Sequence, residues 1–538
     1  MHTHSRHPKL RRLAVVLIAM IMVASACSSD GEGAAATETT ASVTTETTAS
    51  DTTETTASDL VLRIAIGQEP VNIHPPKLRL SQDRVAASLV YSGLVRFNMP
   101  TTEIIPDLAE SWFISDDGLT YNFKLRQGIQ FHGGYGELTS ADVKFTIDYL
   151  RDPENGASIG PLYGIVDEVT TSGDYEVSII LSEPSNSFLT IIAWHNGFIM
   201  SESAFADRGD ELALSPIGTG PFEFVERVPG QSLTFARFDE YFGGPADIAG
   251  ITLSVISSEF TQILAMENGE IDASLITTVA GLETAEALGN VNPKFNDSST
   301  WVNWAHPNCR AGHLTSNKLF RQALMHSIDR QSISEASRGF HAVQENFLNP
   351  RVPEYTEDIA TYEYDPVQAA ALLDEAGYAG EPLSIMYTDS YGFEDLAQVM
   401  KRGFEEAGIT VTFEKVEAAV TVQRGVAGDF DIWVSAGARN TADEYLSPYF
   451  SVGGPRDYGN CATPSLTEDI ASAKSIVGEA AVSQAYGDIQ REIMDEVYIL
   501  PLSNQGSGWA LGNRVNAENF NFDGFSPVWS PGGVTMNE

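Results

Sequence analysis

Basic residues are scarce in this sequence, cysteines scarcer, and no apolar run is long. Each shortage closes off a class of function. Lysine and arginine number 32 against 73 aspartates and glutamates, for a formal net charge of −41. Nucleic-acid binding needs clustered Lys and Arg against phosphate, and electrostatic adhesion to anionic lipid needs the same. Neither fits this balance, which reads first as a strongly solvated surface; preference for a cationic ligand and adaptation to high salt stay open. Three cysteines in 538 residues make no disulfide scaffold. The apolar run Leu13–Val23 has 11 residues, too few for a membrane-spanning helix. The His-Glu-x-x-His and Cys-x-x-Cys spacings of zinc and redox enzymes are missing.

What is present begins with an address. Lys9, Arg11 and Arg12 precede the apolar run, and Ala24, Ser25 and Ala26 follow it. This is the layout of a secretory signal over residues 1–26. Cys27 comes next, as in a bacterial lipobox, although Ala24 stands where that motif prefers a larger aliphatic residue. Cys27 is therefore expected to be lipidated; the alternative is a plain secretory signal with an incidental Cys. His2, His4 and His7 lie in the segment to be removed and receive no role. From Ala34 to Asp59 the chain is low in complexity, with Thr-Thr-Glu-Thr-Thr-Ala-Ser at Thr44–Ser50 and again at Thr52–Ser58. Almost nothing there is apolar enough to offset ordering entropy. Residues 27–59 are thus expected to form a linker reaching roughly 30 Å.

From Leu60 the pattern is mixed. Leu119, Tyr121, Phe123 and Leu125 alternate with polar residues, as do Tyr175, Val177, Ile179 and Leu181; both runs predict half-buried strands. Ser140 is a candidate cap for a helix bearing Val143, Ile147 and Leu150. Asp365-Pro366-Val367-Gln368 predicts a helix start with a capping box, and Gly377 its end. Leu396, Val399, Met400 and Phe404 fall at helical spacing, Gly408 stops the helix, and strands follow at Ile409–Phe413 and Phe430–Val434. Such alternation argues for α/β layers.

At this point the residues resemble a known family, the extracellular solute-binding proteins of peptide and nickel ABC importers. The likeness rests on Leu89-Val-Tyr-Ser-Gly-Leu-Val-Arg-Phe97, Pro106-Asp-Leu-Ala-Glu-Ser-Trp112, Ser115–Tyr121, Leu125–His132 and Ser140-Ala-Asp-Val143. Further on come Ile217-Gly-Thr-Gly-Pro-Phe222, Gly269-Glu-Ile-Asp272, Arg321-Gln-Ala-Leu324, Ile328-Asp-Arg330, Tyr364-Asp-Pro366 and Leu372–Tyr378. Each string is weak alone; their order over more than three hundred residues is specific. The resemblance implies a two-lobed α/β clamp of the periplasmic-binding-protein type II. Lobe I would comprise 60–97, 215–302 and 501–538, an additional subdomain 98–214, and lobe II 303–500. Gly218 and Gly220 are expected to let the backbone turn sharply between lobes. They form no dinucleotide loop, since Pro221 follows and the third glycine is missing.

The same resemblance implies capture of a peptide or other small polar solute by a monomer, for delivery to two membrane subunits and two ATPases. No cofactor is implied. Peptide-binding relatives place an Asp after the Phe430–Val434 strand; here Ala438 stands at that position, with Arg439 beside it, and Asp443 fits only if the register slips. Arg439 is therefore a candidate grip for carboxylate, phosphate or sugar hydroxyl, or a structural ion pair. His74 stands where the family tends to have Asp, so Asn72 and His74 are candidate cleft residues or parts of a Pro-shaped turn. Trp301, Trp304, Trp433 and Trp509 are candidate ligand walls or core. His195, His306 and His313 lack compact metal spacing. Cys309 and Cys461, both expected in lobe II outside the cytoplasm, form either a disulfide or two buried thiols. A secreted hydrolase and a sensing receptor on the same clamp are the rival readings.

Overall fold

The computed structural model describes residues 60–98, 103–388, 392–520, 522–523, 526–527 and 534–537. Cys27, the leader and the Thr-rich linker lie outside them. Among the described residues no helix is long and apolar enough to cross a membrane.

The architecture is α/β, with two sheet-rich lobes sharing one backbone ladder. In lobe I the strand Val61–Ile66 runs parallel to both Gly250–Val255 and Ala273–Ile276. Ser232–Arg237 and Phe222–Val228 extend the sheet on one side, antiparallel. On the other side Ala273–Ile276 takes up Leu500–Gly512. That strand pairs with Val291–Pro307, and the two cross between lobes. Val291–Asn296 lies against Ser507–Gly512; then the register shifts, and Trp301–Ala305 lies against Leu500–Gln505. In lobe II the end of Val291–Pro307 pairs with Ile432–Ala438, which leads to Leu383–Tyr387 and Val411–Lys415. His341–Val343 pairs with the second crossover strand, and the whole is one 11-stranded sheet.

A four-stranded antiparallel sheet stands apart, built from Ala109–Ile114, Thr120–Leu125, Glu176–Leu181 and Val166–Ser172. The alternation in sequence is the alternation in burial: Tyr121, Phe123 and Leu125 face inward, as do Val177, Ile179 and Leu181. The helix Ser140–Arg151 covers this face with Val143, Ile147 and Leu150.

Several residues of the ordered sequence strings serve as polar ties. Asp272, 2 % exposed, accepts from Arg63 at 2.7 and 2.9 Å and from Arg514 at 3.0 Å. It thereby joins the beginning, middle and end of lobe I. Arg321 donates to the carbonyls of Thr315, Ser316, Glu496 and Val497. Buried Arg330 donates to Pro501 O at 3.0 Å, tying its helix to the second crossover strand. Buried cations persist only when their N–H groups are satisfied in this way.

Some local expectations need correction. The helix cap is Thr139, not Ser140: Thr139 is extended, and its N–H reaches Asp142 Oδ2 at 2.9 Å. Ser140 is the first helical residue, and its hydroxyl donates to Gly173 O. Asp365 caps Pro366–Ala376 by accepting from Val367 and Gln368 backbone N–H groups, with Gly377 at φ 76° closing the helix. The strand expected at Phe430–Val434 runs Ile432–Ala438. Its small residues Ser435–Ala438 have weak strand propensity, yet pairing with Trp301–Trp304 recruits them. Gly218 and Gly220 do not sit at positive φ. They are small because the Ser81–Val90 helix end presses on them: a Cβ on Gly218 would lie 2.2 Å from Val90 O.

Cys309 and Cys461 are joined, with Cα atoms 5.1 Å apart and a separation of 152 positions in sequence. The bond ties the end of the first crossover strand to the segment before the Pro464–Lys474 helix.

Two outcomes follow. Gly218→Ala should lower unfolding free energy by about 1–3 kcal/mol in urea denaturation. Gly289→Ala, exposed with open space around it, should stay within about 0.5 kcal/mol. Thiol titration of the denatured, unreduced protein should find neither Cys309 nor Cys461; two reactive thiols from this pair would disprove the bond.

Candidate functional site

The region between the lobes is framed by the crossover strands, and they carry polar side chains where a core would carry apolar ones. Asn303 and Ser503 are fully buried. Asn303 Nδ2 donates to Ser503 Oγ at 3.0 Å and lies 3.1 Å from His341 Nδ1. Burial holds His341 mostly neutral, its pKa lowered to about 4. Asn349 donates to Asn504 Oδ1 at 2.8 Å. A network of this kind fixes side-chain orientation where the ladder changes register.

Away from the crossover, the loop after the Glu176–Leu181 strand reaches the end of the Pro464–Lys474 helix through Asn186. Its backbone N–H donates to Lys474 O at 3.3 Å and its Nδ2 to Ala473 O at 2.9 Å. The Tyr486 hydroxyl donates to Asn186 Oδ1 at 3.4 Å. The two halves thus meet at a second place besides the crossover strands.

The residues singled out in the sequence are distributed unevenly around this frame. Asn72 Oδ1 accepts from the His74 backbone N–H at 3.0 Å, a turn within the loop. His74 is buried, stacked on Phe205 with ring centroids 5.7 Å apart. Trp304 is 1 % exposed, donates its indole N–H to His306 Nε2 and meets Tyr445 and Tyr449 edge-on. Trp433 packs on Tyr458 and Phe430, and Trp509 on Phe520. These three indoles are occupied by neighbours within their own lobes. Arg439 differs: it is half-buried just past the Ile432–Ala438 strand, and donates to Ala438 O at 2.6 Å. Asp443 is engaged by Ser447 and by Lys474 at 3.4 Å, so it is not a free counterpart for a ligand amine.

Arg84 was not among the sequence candidates. It lies on the Ser81–Val90 helix, half-buried, with Nε covered and meeting no acceptor. Burial, and the charge of Arg439 across the lobe boundary, both lower its pKa. Nothing in Ser81-Gln-Asp-Arg-Val85 distinguishes it from an ordinary amphipathic helix.

Two enzyme-like features resolve into structure. Gly156-Ala157-Ser158-Ile159-Gly160 matches the Gly-x-Ser-x-Gly string of a nucleophile elbow. It lies between two short helical turns rather than between a strand and a helix. The Ser158 hydroxyl donates to the carbonyls of Pro76 and Leu78, so its proton is spent on backbone. His306 is buried beside Trp304, and His313 bonds Asp431 at 2.9 Å. Among the described residues no three His, Cys, Asp or Glu side chains gather as a metal site.

His74 has a measurable consequence. Its pKa is lowered to about 4, chiefly by burial, while the unfolded chain takes up the proton near pH 6.5. Its contribution to stability is therefore complete above pH 6.5 and declines as pH falls toward 4. His74→Gln should lose less stability than the parent between pH 7 and 4.5, by about 2 kcal/mol in urea titrations.

Comparison with known proteins agrees with this frame. The model of bacterial extracellular solute-binding proteins, family 5, matches residues 103–458. A probable di/tripeptide-binding protein 5 of Pseudomonas aeruginosa is 28 % identical over 465 residues, covering 79 % of this chain and 86 % of that protein. The substrate-binding protein CtaP of Listeria monocytogenes superposes with a TM-score of 0.83 at 24 % identity, over 89 % of this chain and all of that one. MoaA of A. tumefaciens R10, solved with mannopinic acid, gives 0.72 at 26 %, over 89 % of this chain and all of MoaA. The chain belongs to the bacterial extracellular solute-binding proteins of family 5: it is an extracytoplasmic binding protein of ABC import, with the two-lobed α/β fold of that group.

Proposed function

We propose that the protein captures a peptide or other small polar solute between its lobes and hands it to a cognate permease with two membrane subunits and two ATPases. The observation that carries this reading is the register shift between Asn296 and Trp301 in the crossover pair. A bulged ladder bends more easily than a regular one, and here the bend falls between two separately cored halves. Lobe I would then comprise 60–97, 215–302 and 501–538, its additional subdomain 98–214, and lobe II 303–500. The Asn186 contacts hold the closed arrangement, and solute selects it. Cys27, lipidated, would tether the folded body through the Thr-rich linker. The relatives' named cargoes run from di- and tripeptides to mannopinic acid, so the family leaves the solute open.

Thermal-shift screening of oligopeptides, oligosaccharides and metal chelates should find a stabilising compound, recovered unchanged. At a hundredfold excess over Kd the gain is about 2.7 kcal/mol. For that compound Asn186→Ala should weaken binding about 5- to 30-fold, because the closed state loses its contacts far from the solute. Conversion of the compound to product, or an unaltered affinity in Asn186→Ala, would count against the clamp.

A further inference from the structure

Carboxamide oxygens sealed inside this protein are, with two exceptions, matched by donors. Gln262 Oε1 accepts from Ser274 Oγ at 2.6 Å, Asn308 Oδ1 from the Arg310 N–H at 3.2 Å, and Asn346 Oδ1 from the Leu348 N–H at 3.1 Å. Gln490 Oε1 accepts from Asn346 Nδ2 at 2.8 Å, and Asn349 Oδ1 from the Arg351 N–H at 2.9 Å. The exceptions are Asn303 Oδ1 and Gln505 Oε1. Their residues are 0 % and 6 % exposed, and among the described residues no donor reaches either oxygen. A buried amide oxygen left unmatched is destabilising, so a pair of them calls for a cause.

The two lie on one surface of the crossover ladder. Trp301 stands opposite Gln505, and Asn303 opposite Ser503. On the other side of the second crossover strand, His341 also stands opposite Gln505. Side chains directly opposite, and those two apart along a strand, share a face. Trp301, Asn303, Ser503, Gln505 and His341 therefore form one face. Hydrogen bonds run across it: Asn303 Nδ2 donates to Ser503 Oγ at 3.0 Å, and His341 Nδ1 lies 3.0 Å from that oxygen. No member of this face is an acid, a lysine or an arginine, and burial keeps His341 mostly neutral. The face begins directly after the register shift between Asn296 and Trp301. His74 Nε2, His132 Nδ1 and Thr219 Oγ1 are also sealed without partners, but none of these residues belongs to the crossover strands.

Building on the clamp reading, we infer that this face recognises uncharged hydrogen-bond donors of the solute, hydroxyl or amide N–H groups, received by Asn303 Oδ1 on the first crossover strand and Gln505 Oε1 on the second. An ammonium group would shed its water there without meeting a counter-charge, and a carboxylate would face two further acceptors. A neutral donor meets neither difficulty. Each such bond satisfies an oxygen that the fold itself leaves unmatched, so the solute gains more than an ordinary exchange of water for protein gives. The two oxygens also come from different strands of the crossover pair. A solute bonded to both holds one strand against the other beside the bulge. Occupancy thereby selects one bend of the ladder, and with it one arrangement of the lobes.

The test is calorimetry on the purified protein with maltose, N-acetyl-Ala-Ala-amide, succinate and putrescine. Permethylated maltose and the fully N-methylated dipeptide serve as donor-blocked counterparts, and any donor-bearing hit from the thermal-shift screen is carried through the same variants. A neutral donor-bearing compound should bind, and its blocked counterpart at least about tenfold more weakly. Gln505→Met and Asn303→Leu, close in shape but without the accepting oxygen, should each weaken that compound about 5- to 50-fold. The melting temperature of free Gln505→Met should hold or rise, because an unmatched oxygen has gone. Gln505→Glu keeps an accepting oxygen, serves if Gln505→Met folds poorly, and should bind within about fivefold of the parent. Maltose or the dipeptide as the binder separates hydroxyl from amide donors. Binding confined to succinate, putrescine or a hit without O–H and N–H groups overturns the donor assignment and leaves the clamp standing. Full affinity in both apolar variants does the same, and a lowered melting temperature in Gln505→Met alongside it assigns the oxygens to ordered water. Binding by none of these compounds, with no hit in the wider screen, removes the clamp reading and this inference with it.

Discussion

One ladder of backbone hydrogen bonds, between Val291–Pro307 and Leu500–Gly512, is the constraint on which the rest of the molecule depends. Its first half belongs to the sheet of lobe I and its second to the sheet of lobe II. Backbone bonds at both ends keep the lobes in a single sheet; the register shift in the middle relieves the pairing where they must part. Side chains reinforce this division. The ends are held by apolar packing, with Trp304 in one core and Trp509 in the other. The Asn303–Ser503–His341 cluster near the middle is directional rather than apolar, so it orients the strands without gluing the lobes into one core.

The polar ties extend that logic. Asp272 uses Arg63 and Arg514 to hold three distant pieces of lobe I together, and Arg321 and Arg330 use carbonyls to hold lobe II. Removing one partner from such a site leaves a charge buried without compensation, which costs more than the tie itself contributes. This explains why the strings Gly269-Glu-Ile-Asp272 and Arg321-Gln-Ala-Leu324 are so readable in the sequence: they encode fixed frame geometry.

Much of the frame was legible because it follows periodicity and capping. The alternations at Leu119–Leu125 and Tyr175–Leu181 became strands, and Asp365, Pro366 and Gly377 did at the Pro366–Ala376 helix what their chemistry predicts. The opening was less legible. Tryptophan suits a sugar face and a core equally, and only tertiary packing shows that Trp304, Trp433 and Trp509 are spent inside. The length of the Ile432–Ala438 strand was hidden because Ser-Ala-Gly-Ala has no propensity of its own and is paired by distant tryptophans. Gly218 and Gly220 carry no mark of the helix end that presses on them.

The late position of the second crossover strand shapes how the chain can reach this state. Lobe I begins near residue 61, yet its sheet gains Leu500–Gly512 only when nearly the whole polypeptide has been released. Until then the Ala273–Ile276 edge is open, Asp272 lacks Arg514, and the Val291–Asn296 half of the first crossover strand has no mate. Assembly from the leading end is thus held back by topology, and closure of such distant pairings is slow. A chain that stays loosely structured until its last segment arrives is suited to threading through an export channel, with folding completed on the far side.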